Sequence, residues 1–343
     1  GVFAAILCSF TYVIAQIYGL GLIVSRFTGM DFGVGVFVGL GSILFCSFLG
    51  GMRAVTWTQV SQYVILIVAY MIPVIWLSVK HTGNPVPQIA YGYVLEQVSA
   101  REKVLNDAAT PDGAREAEVR EMLKQRQTDT QARLRELEAG GAEYLAAERS
   151  RLATQLDELR KRHATEAEVA TAEQALAAFP KDVAAAKHIW RAEAEADRLR
   201  SAPIAAHAEP YAGPDEATRN NKRKNFLALV FCLMVGTAAL PHILMRFYTT
   251  TSVKEARLSV FWSLLFISLL YLTAPALAVL AKYDVYTLLV GSSFSELPSW
   301  VSAWASVDKA LMNVSDINKD GIVQLAEVTI GRDLIVLATP EIA

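Results

Sequence analysis

The run Asn225–Tyr248, NFLALVFCLMVGTAALPHILMRFY, decides how this chain is read. It is long and apolar enough for a membrane helix, at about 1.5 Å per residue against about 30 Å of hydrocarbon. Gly236, Thr237, Pro241 and His242 interrupt it near its middle. Inside a bilayer each backbone N–H and C=O needs a partner, so a break there is tolerated where the freed groups meet a cavity, ions, water or neighbouring helices. The residues leave two readings open: a broken helix that makes a binding site, or a helix merely kinked, since glycine and proline are commoner in membrane helices than in soluble ones.

Outward from this run, hydrophobicity is unevenly spread. The 343 residues are 53% hydrophobic and carry 32 basic and 34 acidic side chains, of which 23 and 24 lie between Lys80 and Lys224. The rest is nearly charge-free, as membrane spans must be. A net charge of −2 gives no reason to expect a nucleic-acid partner. Cys8, Cys46 and Cys232 sit in apolar runs and read as small hydrophobes rather than disulfides or metal ligands. No charged leader precedes the first apolar residues, so the chain is expected to be a piece of something longer.

The pattern predicts five spans. Residues 1–79 hold three: Val2 to Phe27, with polar Thr11, Tyr12, Gln16 and Tyr18; a glycine-rich one from Gly33 to Leu49, where Gly33, Gly35, Gly39 and Gly41 suit tight packing; and one from the Gly50-Gly51 turn to Ser78, with Thr56, Thr58, Gln59, Ser61 and Gln62 in its first turns. Residues 225–281 hold two, the interrupted run and Leu258 to Leu280, where Ser263, Ser268, Tyr271, Thr273 and Pro275 make a second polar seam.

Residues 80–224 read as an extramembrane helical insertion, and 282–343 as an extramembrane tail. Leu134, Leu137, Leu145, Leu152, Leu156 and Leu159 follow a period near 3.6, which predicts amphipathic antiparallel helices rather than a strict heptad coiled coil, with breaks at Pro111-Asp112-Gly113, Gly140-Gly141 and Pro180. His163, His188 and His207 lack metal-ligand spacing and read as surface residues. The cluster Asn220–Asn225, NNKRKN, either anchors the interrupted helix at the headgroups or marks its charged end. Loop charges are divided: Arg53, Arg246, Lys254 and Arg257 lie on short loops of one side, and Arg26, Lys80, Lys282 and Lys222-Arg223-Lys224 on the other. Long loops translocate largely regardless of charge, so the first side is expected to be cytoplasmic and the insertion and tail periplasmic or extracellular, on the cell membrane.

Two motifs together, GGMRAVTWTQVSQ (50–62) and GTAALPHILMRF (236–247), resemble the sodium:solute symporter family, most closely its acetate permease-like bacterial branch. The resemblance implies an all-α membrane protein, part of a leucine-transporter-like inverted-repeat bundle, with spans one to three as core helices three to five and the last two as core helices six and seven. It implies a secondary transporter that couples Na+ to a small solute, a short-chain monocarboxylate such as acetate, by alternating access. Gly236, Thr237, Leu240, Pro241 and His242 would then line the substrate site, with Arg246 near the cytoplasmic mouth and Tyr12 and Gln16 facing the same cavity by analogy. His242 either hydrogen-bonds the substrate or caps freed carbonyls. The family's sodium site is built from core helices one and eight, so the Na+ ligands are expected outside this chain.

In the tail, Asp316, Asn318, Asp320, Gly321, Ile322, Gln324 and Glu327 fit the spacing of a calcium loop, with carboxylate and amide oxygens at 316, 318 and 320, the Ile322 carbonyl, a water on Gln324 and a bidentate Glu327; the alternative is an acidic turn capping a helix. An alternative function from another class is a membrane sensor or interaction protein that displays the insertion to an external protein partner. An enzyme is not expected, because the spans hold neither paired carboxylates nor a nucleophile with its base.

Overall fold

The computed structural model describes residues 1–162, 165–240, 244, 250–309, 311–331 and 334–343, apart from the side chains of 46–47, 52–54 and 167. They form two compact units, one of residues 1–104, 205–316 and 321–343, the other of 105–204 with 317–320.

The first unit begins with α1 (Val2–Thr28), which Gly29 ends in the left-handed region at φ 70° while its N–H returns to the Ser25 carbonyl at 2.9 Å. Asp31 then caps α2 (Phe32–Thr82) by accepting the Gly33 N–H at 2.8 Å. Inside α2, Gly51 takes φ 54° and ψ −156°, which a side chain would resist, so the 51-residue helix turns there into two spans. Among the described residues, four stretches are long and apolar enough to cross a membrane: Val2–Thr28, Phe32–Gly51, Val55–Thr82 and Val253–Leu289. The run expected to supply a fifth extends from α7 (Glu216–Ala238) into residues outside the description.

Glycine sets the approach of α1 to α2, as the spacing predicts. A Cβ on Gly35 would lie 3.1 Å from the Gly21 carbonyl oxygen, and one on Gly39 would lie 2.3 Å from Leu20 Cδ2. Gly41 plays no such part, having nothing within 4 Å of that position.

Helix α8 (Val253–Asp284) is longer at both ends than its apolar run, because Ser252 caps it through the Glu255 N–H and its charged last turn is buried. Helix α3 (Pro87–Asn106) belongs largely to this unit rather than to a separate insertion: Val94 and Val98 are fully buried in one cluster with Val74 and Leu77 of α2 and Leu277 and Leu280 of α8. The tail completes that cluster. After a π turn (Val285–Leu289) come α9 (Ser299–Val307), β1 (Met312–Val314), β2 (Val328–Ile330) and α10 (Leu334–Ile342), contributing Trp300, Trp304, Met312, Val328, Leu334 and Ala338. The strands pair antiparallel with Met312 opposite Ile330, a small departure from the all-helical expectation.

The tail also fixes which span ends share a side. Arg26 of α1 pairs with Glu341 at 2.9 Å and lies 5.4 Å over the Trp304 ring, while the Trp76 indole of α2 donates to the Ala343 carbonyl at 3.0 Å. The end of α1, the end of α2, the end of α8 and the tail therefore lie together, and Gly51 and Ser252 mark the other ends of their spans.

In the second unit α4 (Pro111–Lys161) packs against α5 (Glu166–Ala177) and α6 (Val183–Ser201). Leu137 and Leu145 of the leucine stripe bury with Phe179, Ala186 and Trp190, as the period predicts. Pro111 starts α4 and Pro180 separates α5 from α6, but Gly141, at φ 55°, kinks α4 rather than ending it. Arg126 grips the buried Asp197 with two bonds of 2.7 and 2.8 Å, and Arg133 lies 4.4 Å over Trp190. With its own apolar cluster and charge pairing, residues 105–204 expressed alone are expected to fold. Circular dichroism should show mostly helix and a cooperative melt; a coil spectrum at low temperature would refute this.

Candidate functional site

Helix α7 opens under an Asp215 cap that accepts the Thr218 N–H at 2.6 Å, and runs through the apolar half of the deciding stretch to Ala238. Chemistry explains its end. Pro241 has no N–H to give the Thr237 carbonyl, which takes the Leu240 N–H instead at 3.4 Å, a longer and tighter-turned bond than a helix makes. One residue earlier, the Ala239 N–H is shared between the carbonyls of Val235 at 3.1 Å and Gly236 at 3.2 Å. Past Leu240 the Leu244 N–H again returns four residues, to Leu240 O at 3.1 Å. Regular helix therefore ends at Ala238, and the next two N–H groups turn back on the carbonyls of residues 235–237.

Pro241, His242 and Arg246 lie outside the described residues. Gly236 and Thr237 are exposed, and no residue of α7 is buried. On α1, Tyr12 is 44% exposed and Gln16 is exposed too, so the described residues do not gather these side chains into an enclosed cavity. Of the two polar seams, Thr273 is buried and accepts the Gln88 side-chain amide at 2.6 Å, whereas Ser263, Ser268 and Tyr271 remain exposed.

The calcium expectation finds no support. Among the described residues no group of three or more His, Cys, Asp and Glu side chains is arranged to hold a metal. The would-be ligands serve the loop's own amides: Asp316 Oδ2 accepts the Gly321 N–H at 3.1 Å, Asn318 Oδ1 accepts the Asp320 N–H at 3.2 Å, and the fully buried Glu327 accepts the Gln324 N–H at 3.1 Å. Ile322 pairs by its backbone with Ser293 in an isolated bridge. Lys319 and Gly321, at φ 63° and 75°, make the sharp turn that the motif requires.

A buried charged cluster was not foreseen from the residue pattern. Asp284 at the end of α8 is 1% exposed and meets Lys80 at 3.4 Å and His81 at 2.8 Å from the end of α2. Glu102 on α3 is 2% exposed; it takes the Lys282 ammonium at 2.5 Å and the His207 N–H at 3.0 Å. Burial, with the Lys282 charge adding to it, holds the His207 ring below its ordinary pKa. Read locally, Lys80 and Lys282 are the flanking charges of two spans; their carboxylate partners lie some 200 positions away, and nothing in the local pattern names them.

Four stretches long and apolar enough to cross a bilayer among the described residues, the first two packed together through glycine, mark a membrane protein. The sodium:solute symporter family pattern matches residues 1–124 and 187–288, and the chain belongs to that family. Its members are transporters. An uncharacterized symporter of Cupriavidus necator is 47% identical over 342 residues, covering 100% of this chain and 49% of its own length. A monocarboxylic acid transporter of Corynebacterium glutamicum is 52% identical over 48 residues, 14% of this chain and 9% of its own. The chain thus spans about half the length, or less, of the curated relatives it matches. No solved structure matches.

Proposed function

We propose that the chain is part of a sodium-coupled symporter for a short-chain monocarboxylate such as acetate, working by alternating access within a leucine-transporter-like bundle. The observation that carries this reading is the end of α7 at Ala238, inside a family-matched block and three residues before Pro241, where the Leu240 N–H reaches the Thr237 carbonyl at 3.4 Å in place of a regular helical bond. Weakly satisfied carbonyls and free amides at such a step are how transporters of this architecture hold small ions and anionic solutes. The short match to a monocarboxylic acid transporter supports the substrate class.

In this proposal Gly236, Thr237, Leu240, Pro241 and His242 contact the solute, with Tyr12 and Gln16 supplied from α1, and the Na+ ligands belong to helices beyond this chain. Residues 80–224 and the tail, 282–343, are assigned to the outer face, because Arg53, Lys254 and Arg257 sit on the short loops of the other side. The family pattern omits 125–186 and 289–343, most of residues 105–204 and nearly all of the tail. Uptake of labelled acetate by cells expressing the whole gene tests the reading. A sodium gradient should drive it, and exchanging sodium for choline should abolish it; uptake indifferent to sodium would overturn the coupling.

A further inference from the structure

At the point where α7 leaves the extramembrane segments, the chain builds a small basic pocket that the transport reading does not use. Residues 208–213 fold back on the first turns of α7, and Ala208, Glu209, Pro210, Tyr211, Ala212 and Gly213 with Arg219 and Arg223 line an open pocket of about 420 Å³. The fold-back is held in place. The Ala212 N–H returns to the Glu209 carbonyl at 3.0 Å, the Lys222 ammonium donates to the Ala212 carbonyl, and a Cβ on Gly213 would meet Thr218 Cγ2 at 3.0 Å, so the loop lies directly against the helix.

Two features give the pocket its ligand chemistry. Arg219 and Arg223 are one helical turn apart and share the face that lines it. Among the described residues none of Arg219, Lys222, Arg223 and Lys224 is in an ion pair; Arg223 donates to Asn220 Oδ1 at 3.2 Å. Glu209 is the one carboxylate in the lining, and Asp215 and Glu216 stand at the helix start beyond it. Two guanidinium forks and a phenol, against a single carboxylate, suit a phosphate oxyanion.

Depth then selects the source of that phosphate. The apolar run of α7 starts at Phe226, and the Tyr211 ring meets the Phe226 ring at 5.6 Å, so the loop is tied to the first apolar turn. Arg223 lies three residues outside Phe226 and Arg219 seven, which at about 1.5 Å per residue places both guanidinium groups at headgroup level while Tyr211 takes the position of an interfacial aromatic. We infer that this pocket binds the phosphodiester headgroup of an anionic phospholipid, with Arg219 and Arg223 as its ligands. The inference rests on α7 entering the membrane at Phe226.

The test is native mass spectrometry of the purified whole protein titrated with short-chain phosphatidylglycerol, phosphatidylcholine and inorganic phosphate. Phosphatidylglycerol should bind, and the R219Q/R223Q double variant should bind it about thirtyfold more weakly, at about fivefold per arginine. K254Q/R257Q, with the same change of net charge at the far end of α8, should bind like the parent. Unchanged affinity in R219Q/R223Q, or an equal loss in K254Q/R257Q, would overturn the site. Equal occupancy by inorganic phosphate would make it a free-anion site and overturn the lipid assignment, as equal binding of phosphatidylcholine would overturn the charge selection. The membrane reading of α7 is checked separately: Cys232, as the sole cysteine, should resist a water-soluble maleimide in intact membranes, and ready labelling would sink that reading whatever the lipid titration gives.

Discussion

Replacing Lys282 with methionine is expected to destabilise the protein by about 3–5 kcal/mol, the range for removing one partner of a buried ion pair. Glu102 is 2% exposed, with the Lys282 ammonium 2.5 Å away. Its other contact, the His207 N–H at 3.0 Å, is a single neutral donor and does not balance a full charge. Methionine keeps an unbranched stem of similar length, so the ammonium is what is lost, together with its place 5.2 Å over the Tyr286 ring. The reverse change is milder. Glu102→Gln strands an ammonium on a side chain 24% exposed, closer to water, and should cost about 1–3 kcal/mol. Combining the two removes the orphaned charge and should recover most of the stability, since the pair's desolvation is relieved together with its attraction. Thermal unfolding of the detergent-purified protein checks the series. If Lys282→Met melts with the parent, or if the double variant is the least stable of the set, the pair is not the buried contact described above.

What the residue pattern conveys well is whatever depends on neighbours in sequence. The apolar runs, the Gly50-Gly51 turn, the leucine stripe and the glycines that admit α1 to α2 all act through their own helix or the next one, and the fold uses them much as read. The failures share a cause. Helix α8 reaches Asp284 instead of stopping near Leu280 because Lys80 and His81 partner its last turn. Helix α3 joins the first unit because Val94 and Val98, spaced by one turn, find the apolar faces of α2 and α8. Neither outcome has a local signal. Two misses did have one: Thr165 and Glu168 spell a capping box that opens α5, and the β-branched residues of Met312–Val314 and Val328–Ile330 favour strands, though three residues each is too short to read as a period. For the candidate site, the loss of helical bonding near Pro241 follows from proline's missing N–H. Which side chains face Thr237 depends on helix packing, which no local pattern encodes.

If the protein is the proposed acetate symporter, Thr237→Val is expected to reduce its sodium-driven uptake about tenfold or more, the worth of one hydrogen bond to a charged group at about 1.5–3 kcal/mol. Valine matches threonine in shape and branching, so it removes the hydroxyl and little else. Packing should not confuse the result: Thr237 is exposed, no residue of α7 is buried, and a Cβ added at the adjacent Gly236 would meet nothing within 4 Å. Thr237→Ser keeps the hydroxyl and should transport like the parent. His242→Ala should likewise lower uptake if its ring hydrogen-bonds the solute, and should instead lower thermal stability with uptake per folded molecule unchanged if it caps freed carbonyls. In the proposed arrangement the Na+ ligands lie on other helices. The apparent KM for acetate should therefore rise in Thr237→Val while the sodium concentration giving half-maximal uptake moves little. Flux measured across both concentrations, normalised to protein in the membrane, separates the outcomes. Parental acetate kinetics in Thr237→Val would remove Thr237 from the solute site. A shift confined to sodium would move it to the cation site instead and overturn the division of ligands proposed for this chain.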